Sequence, residues 1–96
     1  MELQELCEEF LVYLASVRAL SPNTVLGYKN DLQLFQQFLT PQTEVSSITK
    51  ENILLCIGQL SKQHKSAASI NRFIAAIRTL FKYAQKFEYV IRFNFK

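Results

Sequence analysis

Only two glycines and two prolines interrupt this 96-residue chain, and apolar side chains recur every three or four positions along most of it. Together these constrain the fold more than any other feature. A stripe with helical period cannot lie on one face of a strand, and scarce breakers leave long segments. The expectation is an all-α domain, a compact bundle of four main helices. Apolar residues make up 49% of the chain, enough for a single core and too many for a disordered polymer.

Helix one is expected over 2–19, with Leu3, Leu6, Cys7, Phe10, Leu14 and Val17 as its stripe. Its early glutamates suit the positive end of a helix dipole. The clearest boundary is Leu20-Ser21-Pro22-Asn23-Thr24, where Ser21 is a good N-cap and Pro22 fits the first helical position. Helix two follows to about Leu39, with Val25, Tyr28, Leu32, Phe35 and Leu39 inward. Leu26, Lys29, Asn30, Gln33, Gln36 and Gln37 form the opposite face, and Asp31 falls toward the edge of the buried side. Gly27 costs this helix roughly 1 kcal/mol against alanine, so either a neighbouring helix or a ligand backbone is expected to come close there. Residues 40–47 read as a loop. Thr49 caps helix three, which carries Ile53, Leu54, Ile57 and Leu60. A polar turn over 61–65 contains His64, and Ser66 caps helix four, expected over 67–87. The tail at 88–96 carries no C-cap signal and reads as a chain cut near a linker.

Helix four is the most informative element. Ile70, Phe73, Ile74, Ile77, Leu80, Phe81 and Ala84 make one continuous core face. Ala68, Asn71, Arg72, Ala75, Thr79, Lys82 and Lys86 lie opposite, with Arg78 at the margin. Charge is distributed very unevenly along the chain: residues 1–10 sum to −4, residues 11–57 to zero and residues 58–96 to +7. Residues 52–87 hold Lys62, Lys65, Arg72, Arg78, Lys82 and Lys86 with no carboxylate at all. A solvated helix mixes both signs, whereas a surface meant for phosphate keeps one. Small residues between basic and amide side chains let a helix axis approach a groove, and the major groove of DNA admits one helix. Two other readings stand beside this one: a solvated basic face, and a helix packed on both sides with its alanines in a helix–helix contact.

Other chemistries find little support. No paired carboxylates, Gly-rich phosphate loop or nucleophile with a nearby base is visible, so no catalytic residue, cofactor or metal is expected. Cys7 and Cys56 read as buried reduced thiols of a cytoplasmic protein. The N-terminus lacks the basic region of a signal peptide, and no apolar run, that over 53–57 included, is nearly long enough to span a membrane. Tyr13, Tyr28, Tyr83 and Tyr89 are expected as core or interface aromatics.

Taken in order, several strings resemble the N-terminal core-binding (SAM-like) domain of tyrosine recombinases of the phage-integrase family, Xer-like members especially. They are Phe10-Leu11-x-Tyr13-Leu14, Leu20-Ser21-Pro22-Asn23-Thr24 and Tyr28-x-x-Asp31-Leu32-x-x-Phe35-x-x-Phe38-Leu39, followed by Ile48-Thr49. The last is Ser66-x-x-Ser69-Ile70-Asn71-Arg72-x-Ile74-Ala75-Ala76-Ile77-Arg78-x-Leu80-Phe81-x-Tyr83. The resemblance implies half of a C-shaped clamp on duplex DNA, with two helices facing the major groove. It carries over to Ser21, Thr24, Leu26, Asn30 and Gln33, and to Ser66, Ser69, Asn71, Arg72 and Ala75. It also implies that residues 1–90 form the DNA-binding domain and 91–96 begin a linker to a C-terminal catalytic domain. That second domain would cleave and rejoin strands, and the parent would assemble with other recombinase protomers on DNA. The family often has Asn-Pro where this chain has Asn94-Phe95.

In a recombinase DNA-binding module of this kind, Arg72 and Arg78 are expected to supply charge and base contact, and Lys29, Lys62, Lys65, Lys82 and Lys86 to serve phosphates. Competing readings are a non-catalytic helical domain whose basic face meets an acidic protein, and a stand-alone helix-turn-helix regulator. The regulator fits less well, because helix four exceeds a usual recognition helix and the preceding turn is not the short Gly-containing kind.

Overall fold

The computed structural model describes residues 1–90. Four helices follow one another: α1 (Leu3–Ser16), α2 (Pro22–Leu39), α3 (Lys50–Lys62) and α4 (Ala67–Lys86), with a 3-10 turn (Val45–Ser47) before α3. The all-α expectation holds. The expected linker start at 91–96, with the Asn94-Phe95 departure, lies outside the described residues. Among those described, no helix is long and apolar enough to cross a membrane.

Three helix starts follow from local sequence. Ser21, Thr49 and Ser66 each accept a hydrogen bond from the amide three residues on, satisfying one donor that the helix leaves unpaired. The start of α1 is built differently. Its first two amides, on Leu3 and Gln4, donate to the carbonyls of Thr43 (2.8 Å) and Pro41 (2.9 Å). Segment 40–47 is therefore more than a loop. It caps α1 from the far side of α2, buries Val45, and receives the N-terminal ammonium on Glu44 at 2.7 Å.

Helix ends were less legible. Ala19, Thr40, His64 and Glu88, one after each helix, adopt positive φ without being glycine, while Gly27 and Gly58 lie inside helices. At α3 and α4 the closure is a Schellman motif. Lys65 N–H reaches Leu60 C=O (3.2 Å) past His64, and Tyr89 N–H reaches Ala84 C=O (2.8 Å) past Glu88. The tail thus does carry a C-cap, contrary to the sequence expectation, because Glu88 takes the left-handed conformation at φ 63°. Likewise α1 stops at Ser16 rather than Ala19, since Arg18 N–H turns back to Tyr13 C=O and Ala19 takes φ 51°.

All four helices contribute to one core. Phe35 sets its ring edge-on to Phe73 and Phe81 at 6.1 and 6.4 Å, joining α2 to α4. Phe10 meets Tyr28 at 5.8 Å and Tyr83 at 5.4 Å, joining α1 to both. Burying each Phe is worth about 1.5–3 kcal/mol. The core face expected for α4 is observed except at Ile74, which is half-buried and outside the core cluster. Two further expected core residues are not in the core: Val17 lies beyond the end of α1, and Leu54 faces outward beside Leu55 while Cys56 takes the inward position. Cys7 and Cys56 are buried free thiols, pushed up by burial to about 12 and about 11.

Candidate nucleic-acid interface

The outer surface of α4 follows directly from its periodicity. With Phe73, Ile77, Leu80, Phe81 and Ala84 buried, Ala68, Asn71, Arg72, Ala75, Arg78, Lys82 and Lys86 are all exposed, and Thr79 is half-buried with its hydroxyl donating to Ala75 C=O at 2.8 Å. Ala68 and Ala75 do not pack inside the fold, which removes the reading of a helix sandwiched within its own domain.

A shallow cleft separates this surface from α2. Asn23, Thr24, Gly27, Tyr28 and Asp31 line one wall and Arg72, Ala75 and Ala76 the other. A Cβ at Gly27 would meet nothing within 4 Å, so no helix of the domain explains this glycine. The cleft's charged element joins the two walls. Arg72 Nε and Nη2 donate to Asp31 Oδ2 and Oδ1 at 3.1 and 3.3 Å. Asp31 is 4% exposed overall, while the Arg72 side chain is 64% exposed. The carboxylate is thus sunk in the fold and the cation stands at the surface. Below this pair a smaller depression is lined by Leu34, Leu60, Lys65, Ser69 and Phe73 together with Asp31 and Arg72.

The other expected contact residues distribute around this centre. Thr24, Lys65, Ser69, Arg72 and Ala75 share the two depressions. Ser21 with Thr24 (2.9 Å) and Ser66 with Ser69 (3.0 Å) form matching hydroxyl pairs at the starts of α2 and α4, where the two serines also cap. Leu26 and Asn30 are exposed on α2, and Lys62 is the last residue of α3. Lys29 and Gln33 belong to a separate groove between α1 and α2, with Val12, Ala15 and Gln36. Lys86 lies far along α4, about 21 Å from Arg72 by helical rise. Its ammonium sits 5.9 Å from the Tyr13 ring centre and 5.7 Å from that of Phe87. Sequence reasoning treated Arg72 as a cation without a partner and left Asp31 at the edge of the core. The available signal was that Asp31 is the only acid in α2 and falls on its apolar side, where a buried charge requires a partner.

Four helices in one all-helical bundle are the architecture of a SAM-like N-terminal domain of integrases. The chain belongs to that family: the sequence model described as phage integrase, N-terminal SAM-like domain, matches residues 7–86. Among curated relatives, tyrosine recombinase XerD of Staphylococcus aureus (strain Mu50) is 32% identical over 92 residues, covering 94% of this chain and 31% of its own length. Tyrosine recombinase XerD of Staphylococcus haemolyticus (strain JCSC1435) matches to the same extent, 32% over 92 residues. The chain therefore spans about a third of the length of the curated relatives it matches. No solved structure matches it at a comparable level.

Proposed function

We propose that this domain grips duplex DNA through the surface shared by α2 and α4, as one half of a recombinase clamp. In this reading residues 1–90 are the DNA-holding unit, and strand cleavage and rejoining belong to a catalytic domain of the parent protein, which acts with further protomers on DNA. The observation that carries the reading is the outer face of α4. It is exposed, basic and set with alanines, and Asp31, whose carboxylate meets it at Arg72, is buried rather than presented. Lys62, Lys65 and Lys82 would neutralise phosphates, and Asn71, Ala75 and Thr24 would face base edges and backbone.

Fluorescence anisotropy of the 96-residue chain on a random duplex of about 30 base pairs, across a salt series, tests this. Neutralising about 4–6 phosphates gives a log–log slope near −4 to −5. Affinity alone should be modest, in the micromolar range at low salt, because the second half of the clamp would raise effective concentration. No binding at low salt would overturn the proposal and favour an acidic protein as the partner of this face.

A further inference from the structure

The contact between Asp31 and Arg72 sets Arg72 apart from Lys65 and Lys82 on this surface. An arginine that serves phosphate works as a mobile positive charge. Arg72 is neither mobile nor, as a pair, positive. Two of its five N–H donors, on Nε and Nη2, are committed side-on to one buried carboxylate. The fork formed by Nη1 and the outer Nη2 hydrogen is left at the exposed end of the side chain. Because Asp31 is fixed in the core, the plane of the guanidinium is fixed with it, and much of the rotamer entropy an arginine surrenders on binding has already been lost in folding. The flanking positions permit close approach: Ala68 and Ala75 are one turn to either side, and Gly27 opens the opposite wall of the cleft. Lys65 and Lys82, on the same surface, have no ion pair among the described residues.

We infer that Arg72 reads a guanine edge in the major groove, and that Asp31 is the positioning residue that makes it a reader rather than a phosphate clamp. The inference rests on the proposed DNA binding and deepens it. A planar fork presented end-on matches the O6 and N7 acceptors of guanine, and such a bidentate contact discriminates among bases. A neutral pair displaces little of the counterion atmosphere, so it contributes specificity without contributing salt dependence.

Two measurements on the full chain test this together. In the first, wild type, Arg72→Ala, Asp31→Asn, Lys82→Ala and the double variant Asp31→Asn/Arg72→Ala are titrated onto a random duplex of about 30 base pairs over a salt series. The slope should become steeper by about 0.9 in Asp31→Asn, which leaves the arginine charge uncancelled, shallower by about 0.9 in Lys82→Ala, and stay unchanged in the double variant, which removes both charges of the pair at once. In the second, each protein selects duplexes from a randomised pool at low salt. Wild type should enrich guanine at one position, and both Arg72→Ala and Asp31→Asn should lose that preference by about tenfold while preferences elsewhere persist. A general loss of stability would weaken binding to all sequences and would not steepen a salt slope. If Asp31→Asn fails to fold, the selection by Arg72→Ala and the slope of the double variant still decide. A slope reduced by about 0.9 in the double variant, or selection with no guanine preference tied to Arg72, overturns the inference and leaves DNA binding standing. Failure of the wild type to bind any duplex removes both.

Discussion

Asp31 and Glu9 reach α4 from neighbouring helices, and they act in opposite ways. Asp31, from α2, is buried and shares its charge with an exposed guanidinium near the start of α4. Glu9, from α1, accepts the Tyr83 hydroxyl at 2.7 Å near the other end and is hydrogen-bonded by Tyr89 as well. Those donors are neutral, so Glu9 keeps its charge. The Tyr89 and Tyr83 hydroxyls hold its carboxyl below the usual carboxylate range, while burial first and Glu9 second push Tyr83 upward. Tyr13, Tyr83 and Phe87 stack around this contact with ring centres 4.8–5.9 Å apart. The contrast separates two tasks on one helix. At its start a charge is cancelled to orient a surface group, and at its end a charge is retained to fasten the helix to α1.

The largest expected effect tests whether the oriented arginine stands on the common core. Phe73 is 1% exposed and lines the depression beneath Asp31 and Arg72, so Phe73→Ala should cost about 3–5 kcal/mol in urea unfolding. A loss below about 1 kcal/mol would mean that the cleft floor is not part of the core.

A smaller effect isolates the fastening end. Tyr83→Phe should cost about 1 kcal/mol by removing one donor to Glu9, with the DNA salt slope unchanged. Because the folded state depresses the Glu9 pKa, its contribution is present above the ordinary value of about 4.3 and is lost as pH falls through the lower folded value. Thermal melts from neutral to acid pH should therefore show a shallower acid limb for Glu9→Gln than for wild type. An identical limb would mean that Glu9 gains nothing from the tyrosines.

The smallest pair of effects concerns backbone. Gly27→Ala should stabilise the fold by up to about 1 kcal/mol, since a helical glycine is replaced where nothing lies within 4 Å. Glu88→Gly should stabilise it by about 0.5–1 kcal/mol by relieving the left-handed conformation at φ 63°. Only Gly27→Ala should weaken binding to duplex DNA, because only that position lines the cleft. Equal affinity in both variants would detach Gly27 from the interface.

Much of this domain is written in local sequence. Periodicity set the core face of α4, and Ser21-Pro22, Thr49 and Ser66 set three helix starts, because caps and stripes depend on residues within one or two turns. The absence of acids over 52–87 marked the basic face for the same reason: a helix displays its own composition. Helix ends escaped, since Ala19, His64 and Glu88 occupy positions where glycine is the usual signal and tertiary contacts override the local cost. The start of α1 escaped too, its amides being satisfied by carbonyls about forty residues away. So did the pairing of Asp31 with Arg72, forty-one positions apart. Sequence by itself determined which faces are apolar and which are basic, because side-chain periodicity is a property of single helices. That Arg72 on the basic face is held in place was decided only by the packing of α2 on α4, because a buried charge takes its partner from whatever the fold brings within reach.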